Sequence, residues 1–219
     1  MIVVLGRPAL VPAGPAAPAR PGGRAGAVAL ACATRGRSVE LAGAIGDDRD
    51  GDALAVALGR AGIGHAALLR DPAARTPRTD AGPGTAPAPR LDGGDVDLAL
   101  RYLTGCRVLI VADPLPPDVA TVAAEAAAWH AVPLVVLADP RQPLSAAWGP
   151  DAIVLGIPEA EDDEEDGAPD AAGPTDPATD GAFPALVADL ALALADGAAP
   201  ADALAGAIAA ARGERTDGR

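Results

Sequence analysis

Gly22-Gly23 ahead of an alanine-rich stretch, the run Asp47-Asp48-Arg49-Asp50-Gly51-Asp52, Asp139-Pro140-Arg141, the block Glu159 to Asp166 and Asp180-Gly181 are where residue type and spacing could do chemistry. Glycines at a helix start let a ligand approach the backbone closely, and neighbouring carboxylates can take a proton from an attacking hydroxyl or hold a divalent cation. Each motif also has a plainer role. The glycines can be a loop, Asp47 to Asp52 can cap a helix, Glu161 can be one solvated charge in an acidic run, and Asp139-Pro140 can end a strand in a turn. Gly22 to Gly26 does not read as a dinucleotide loop, because it follows a proline-rich stretch instead of a strand and lacks the full G-x-G-x-x-G spacing.

The remaining reactive residues are sparse. Cys32 and Cys106 lie apart in apolar stretches and read as buried free thiols; His65 and His130 have no clustered partners, which argues against a zinc site. The net charge of -13 disfavours nucleic acid and anionic membranes as partners. Every basic residue is arginine, which reads as a GC-rich coding sequence instead of a functional choice. Met1 to Gly6 has no basic n-region, and no apolar run reaches a membrane span without Gly, Pro or charge, so a cytoplasmic protein is expected. The aromatics are Tyr102, Trp129, Trp148 and Phe183 alone, leaving a core of Leu, Val, Ile and Ala, with a homodimer as one way to bury more surface.

Positioning these residues falls to short aliphatic runs at 2–5, 39–44, 108–111, 134–137 and 153–155, without polar alternation, as in strands buried on both faces. Between them lie helical patterns. An alanine-rich helix is expected over 25–34. Asp50 is placed to cap a helix carrying Leu54, Ala57, Leu58 and Ala61 and closed by Gly62. Val119, Val122, Ala126 and Trp129 repeat the spacing, Leu186, Leu190 and Leu194 form a stripe stopped by Gly197, and Pro200 opens a last helix. Alternation of this kind predicts a three-layer α/β/α domain around a mostly parallel sheet. Residues 7–24 and 71–94, rich in Pro, Gly and Arg, are expected as loops or edge elements, and 159–181 as a flexible acidic linker within a single domain spanning 1–219.

The segment Gly22 to Asp71 resembles the amino-terminal half of the ribokinase-like (PfkB) sugar and nucleoside kinases: a double-glycine helix start, a strand, a turn at Gly43-Ala44-Ile45-Gly46-Asp47-Asp48-Arg49-Asp50-Gly51-Asp52, a helix and an Ala61-Gly62-Ile63 step. Val108 to Asp118, Leu134 to Arg141, Ile153 to Glu161 and Asp180 to Ala211 are similar to later parts of that family, in order, over about four fifths of the chain. The resemblance implies a ribokinase-like fold with its lid reduced or absent. It implies sugar-side contacts at Gly22, Gly23, Ala27 and Asp48, an anion hole at Gly181 and Ala182, a catalytic base at Asp180, a magnesium-linked Glu161, and ATP and Mg²⁺ as cofactors if the protein is active.

Departures from the family pattern decide the expected function. Ala178-Thr179-Asp180-Gly181 stands where the family has G-A-G-D, so the base position falls on Gly181; Asp180 serves only if shifted by one residue. Ala27 replaces a sugar-contacting asparagine, residues 10–13 lack the aspartate expected after the first strand, and only the acidic linker separates Glu161 from Asp180. The expectation is a catalytically impaired relative that binds a sugar or nucleoside, with an active carbohydrate kinase, or a non-catalytic subunit of a kinase paralogue, as the alternatives.

Overall fold

The structure, a computed structural model, describes residues 1–15, 17–81, 87–158 and 181–216. Its first strand, β1 (Ile2–Gly6), is followed by β2 (Ala9–Val11), β3 (Arg20–Gly22), α1 (Gly23–Thr34) and β4 (Val39–Gly46). Next come α2 (Arg49–Arg60), β5 (Ile63–Gly64), β6 (Leu68–Asp71), α3 (Gly93–Tyr102), β7 (Val108–Val111) and α4 (Pro117–Trp129). β8 (Leu134–Ala138), β9 (Ile153–Gly156), α5 (Ala182–Ala195) and α6 (Pro200–Thr216) complete the order.

The main sheet runs β5-β4-β1-β7-β8-β9, with β6 continuing the β5 edge along β4. Every pairing in it is parallel, with Ile2 opposite both Val39 and Val108. Period-two alternation sends Ile2, Val4, Val108, Ile110, Val135 and Leu137 into a core shared with α1, α2, α5 and α6. Their neighbours Val3, Leu5, Leu109, Val111, Leu134 and Val136 enter a second core under α3 and α4. Burial on both faces explains why these strands read as unbroken aliphatic runs. Each fully buried side chain contributes about 1.5–3 kcal/mol.

The expected three-layer architecture is present, and differences lie at the edges. The described residues of 7–24 stay out of the central sheet, yet β2 and β3 pair as a separate antiparallel ribbon, with Leu10 buried in the core. The described residues between β6 and α3, 72–81 and 87–92, form no strand of the central sheet, as expected. Leu10 bridges Arg78, and Asp92 caps α3 by accepting from the Asp95 N–H. The sequence reading missed α3, because Gly93-Gly94 at its start argues against a helix on propensity, whereas burial of Val96 and Leu100 favours one. Helix α2 is capped by Asp48, which accepts from the Gly51 N–H, and not by Asp50, which lies inside the first turn. Gly62 does follow its C-cap with φ +70°. Cys32 is fully buried as expected, but Cys106 is only partly so.

Among the described residues no helix is long and apolar enough to cross a membrane.

Candidate binding site at the carboxyl edge of the sheet

All strands of the main sheet being parallel, their carboxyl ends share one edge. The chain leaves β1 on one side for β4 and returns to its other side with β7, so the strand order reverses between β1 and β7. In open α/β sheets generally, ligands are received beyond the strand ends at such a switch point. Asp113, just past β7, fills this position with 7% exposure. Its Oδ2 accepts from the Arg7 N–H at 2.6 Å, just past β1, and its Oδ1 accepts from Arg24 Nε at 3.2 Å, from the first turn of α1. The Arg7 guanidinium donates to the Pro114 carbonyl at 2.9 Å.

Glycine permits this convergence. A Cβ on Gly6 would lie 2.5 Å from Asp113 Oδ2 and 2.9 Å from the Ala25 Cβ. A Cβ on Gly22 would lie 2.5 Å from Val11 Cγ2, and Gly23 has φ +64°, which a side chain at that position would strain. The double glycine thus seats the start of α1 against β2, aiming Arg24 at Asp113. No side chain caps this helix start.

Asp48 sits at the same edge, past β4, but its hydrogen bonds turn inward. One oxygen accepts from the Gly51 N–H and the Thr76 hydroxyl, each at 2.8 Å, and the other from the Thr76 N–H at 3.0 Å. Thr76 Oγ1 also accepts from the Gly46 N–H at 3.0 Å. Burial pushes the Asp48 carboxyl up, but the hydrogen bonds from Thr76 and Gly51 and the nearby Arg75 charge outweigh it and hold the group below its ordinary 3.8. This carboxylate is structural: it caps α2 and pins the 75–79 segment to it.

A depressed folded pKa means that the stability Asp48 contributes is complete above its ordinary value of 3.8 and is lost as pH falls through the lower folded value. At neutral pH, Asp48→Asn should cost about 1–2 kcal/mol, the usual value of a helix cap. In urea titrations the gap between wild type and variant should close as pH drops below about 4; a gap constant with pH would refute the assignment.

Of the residues expected from sequence, the structure gathers Gly22 and Gly23 beside the Arg24–Asp113 pair, while Ala27 is buried within α1 and offers no polar group. Gly181 caps α5 with φ +81°, and it and Ala182 are exposed at the helix start. Arg35, just past α1, pairs with Asp189 at 2.6 Å, and Arg37 pairs with Asp196 at the end of α5. The two helices therefore run the same way, and α5 starts on the side of the carboxyl edge. Glu161 and Asp180 lie outside the described residues.

Arg7, Arg24 and Asp113 were missed in the sequence. The usable signal was a carboxylate directly after a buried aliphatic strand and a cation directly after the double glycine. Burial pushes the Cys32 thiol up to about 12, against the Arg35 charge, and Cys106 up to about 11. Neither is a thiolate nucleophile at neutral pH. Among the described residues no group of three or more His, Cys, Asp and Glu is placed to hold a metal.

No family model matches the chain, and no curated protein matches it. Among solved structures it is similar to Arabidopsis thaliana ribokinase complexed with ribose and ATP, with TM-score 0.62 and 17% identity over 96% of this chain and 90% of that one. It is similar to phosphofructokinase-2 from Escherichia coli in complex with potassium, with TM-score 0.60 and 16% identity over 96% and 91% of the two chains. A PfkB protein from Polaromonas sp. JS666 gives TM-score 0.57 and 18% identity over 94% and 92%. A further structure at TM-score 0.57 is matched over only 60% of its length.

Proposed function

Because the chain has a ribokinase-like fold, we propose that it binds a small polyhydroxylated molecule, a sugar or nucleoside, at the β1/β7 crevice without efficient phosphoryl transfer. The observation that carries the binding half is the Arg24–Asp113 pair beside Gly22 and Gly23. A carboxylate accepts from hydroxyls and a guanidinium donates to them. Asp113 keeps lone pairs beyond the two already engaged, and its partners hold it oriented before a ligand arrives. A structural neighbour of the same fold is described as holding ribose and ATP, which makes hydroxyl-rich ligands the first class to test.

The impaired half rests on the helix start. Phosphoryl transfer needs a group to orient the attacking hydroxyl and donors for the developing charge. Glycine occupies position 181, where α5 begins, and losing a positioned base typically costs about 10²- to 10⁴-fold.

The competing reading is an active ATP- and Mg²⁺-dependent carbohydrate kinase with Asp180 as base and Glu161 on the metal. It is favoured by the direction of α5, which opens toward the same edge as Arg24 and Asp113.

Calorimetric titration with pentoses, hexoses and nucleosides separates the two. The proposed function predicts hydroxyl-dependent binding that Arg24→Gln weakens by about tenfold or more, consistent with a lost charged hydrogen bond, together with no magnesium-dependent ATP binding. Tight Mg²⁺-dependent ATP binding would favour the kinase, and unchanged sugar affinity in Arg24→Gln would remove the crevice as the site.

A further inference from the structure

A second cleft, of about 600 Å³, opens on the same edge beside the start of α2, lined by Arg49, Arg75, Pro77, Arg78, Pro87 and Ala88 together with Asp48 and Asp50. Its lining, with the Arg78 partner Asp80, carries three positive and three negative charges, but Arg49 and Arg75 stand outside its ion pairs. Asp48 has both oxygens occupied by Gly51 and Thr76 donors. Asp50 is paired with Arg78 at 3.2 Å, and Arg78 is also held by Asp80 at 2.9 Å. Arg49 and Arg75 are both exposed, and neither makes an ion pair among the described residues, although the chain carries 30 acidic residues against 17 basic. Seven other arginines do find acidic partners: Arg24, Arg35, Arg37, Arg70, Arg78, Arg101 and Arg141.

The backbone around these two cations is fixed. Arg49 is the first residue of α2, directly after the Asp48 cap. Arg75 precedes Thr76, whose N–H and hydroxyl are both bonded to Asp48, and the Arg75 N–H donates to the Pro87 carbonyl at 3.3 Å. A Cβ on Gly46 would meet the Thr76 nitrogen at 2.5 Å, so the segment is packed hard against the end of β4. The guanidiniums therefore flank one concavity from two anchored positions. Its remaining lining is Pro77, Ala81, Pro87 and Ala88, apolar, together with Thr76, whose hydroxyl is bonded to Asp48.

We propose that this cleft binds a phosphomonoester of a compact organic molecule, with Arg49 and Arg75 gripping the phosphate and the proline wall receiving the organic part. Planar guanidinium forks match phosphate oxygens bidentately. Arg49 and Arg75, neither in an ion pair among the described residues, supply the cationic donors for a group that carries about −1.5 to −2 charge at pH 7. A monocarboxylate leaves one of them unpaired. The site is separate from the β1/β7 crevice, and Arg24 and Asp113 take no part in it.

The test titrates the full-length protein with ribose 5-phosphate, ribose, inorganic phosphate and acetate, by calorimetry and thermal shift. Ribose 5-phosphate should bind more tightly than inorganic phosphate and far more tightly than acetate. Affinity should rise as pH increases through the second phosphate ionisation near 6 and fall with salt. Arg49→Gln and Arg75→Gln, each an exposed change that leaves the Asp48–Thr76 bonds in place, should each lower phosphate-ester affinity about tenfold or more. Excess ribose, the ligand class of the crevice, should not displace the phosphate ester, which distinguishes this cleft from the crevice. Binding of ribose 5-phosphate that both arginine variants retain, equal affinity for acetate, or no binding at millimolar concentration would each overturn the proposal.

Discussion

Asp113→Ala should lower stability by about 2–3 kcal/mol and abolish ligand binding at the β1/β7 crevice. The substitution leaves the Arg7 N–H without an acceptor and frees the Arg24 guanidinium, whose side chain is 24% exposed. A buried donor left unsatisfied costs about 1–3 kcal/mol. The lost ion pair adds less than a fully buried one would, because Arg24 can turn to water. Asp113→Asn retains an acceptor for the Arg7 N–H and should cost about 1 kcal/mol, while Arg24→Gln should cost less still. Urea unfolding of the three variants would check the order. An Asp113→Ala protein as stable as wild type would show that the carboxylate does not tie the ends of β1 and β7 together.

The largest expected backbone effect is at Gly43. Gly43 pairs with Gly6 across the two central strands, and a Cβ at position 43 would lie 1.8 Å from the Gly6 carbonyl oxygen. No rotamer relieves such a clash, because both partners are main chain; the strands must separate where the switch-point crevice is built. Gly43→Ala should cost about 3 kcal/mol or more, at the upper end for overpacking. Gly62→Ala is the control. It has φ +70° but nothing within 4 Å of the added Cβ, so only the conformational penalty of about 1 kcal/mol applies. A thermal unfolding midpoint for Gly43→Ala no lower than that of Gly62→Ala would contradict the close approach of β1 and β4.

The architecture was legible because its strands are buried on both faces: Val108 to Val111 and Leu134 to Leu137 carry no polar residue to confuse the period. The helices with aliphatic stripes, such as Leu186, Leu190 and Leu194, were equally readable. Where local propensity opposes tertiary burial, sequence reading fell short. Gly93-Gly94 hid α3, and the proline-rich 7–24 stretch hid β2 and β3, which are formed by pairing and not by preference. The cap of α2 was misplaced by two residues because Asp48 and Asp50 are equivalent as sequence; only Thr76, 28 residues away, selects Asp48.

The binding site was less legible for a related reason. Gly22 and Gly23 announced themselves by type, whereas Asp113 is one aspartate among 30 acidic residues and gains its meaning from lying beside Arg7, 106 positions earlier. Long-range pairing of this kind leaves no spacing to read. The family pattern, meanwhile, drew attention to Ala27 and Asp48. The first is buried without a polar atom, and the second is committed to capping.

The central claim, ligand recognition without efficient phosphoryl transfer, is tested most directly by following the γ-phosphate of labelled ATP in the presence of Mg²⁺ and whichever sugar binds the crevice. Transfer no faster than in an Asp180→Asn variant is the expected result. Sugar phosphate formed at a rate that Asp180→Asn abolishes would contradict it and establish an active kinase.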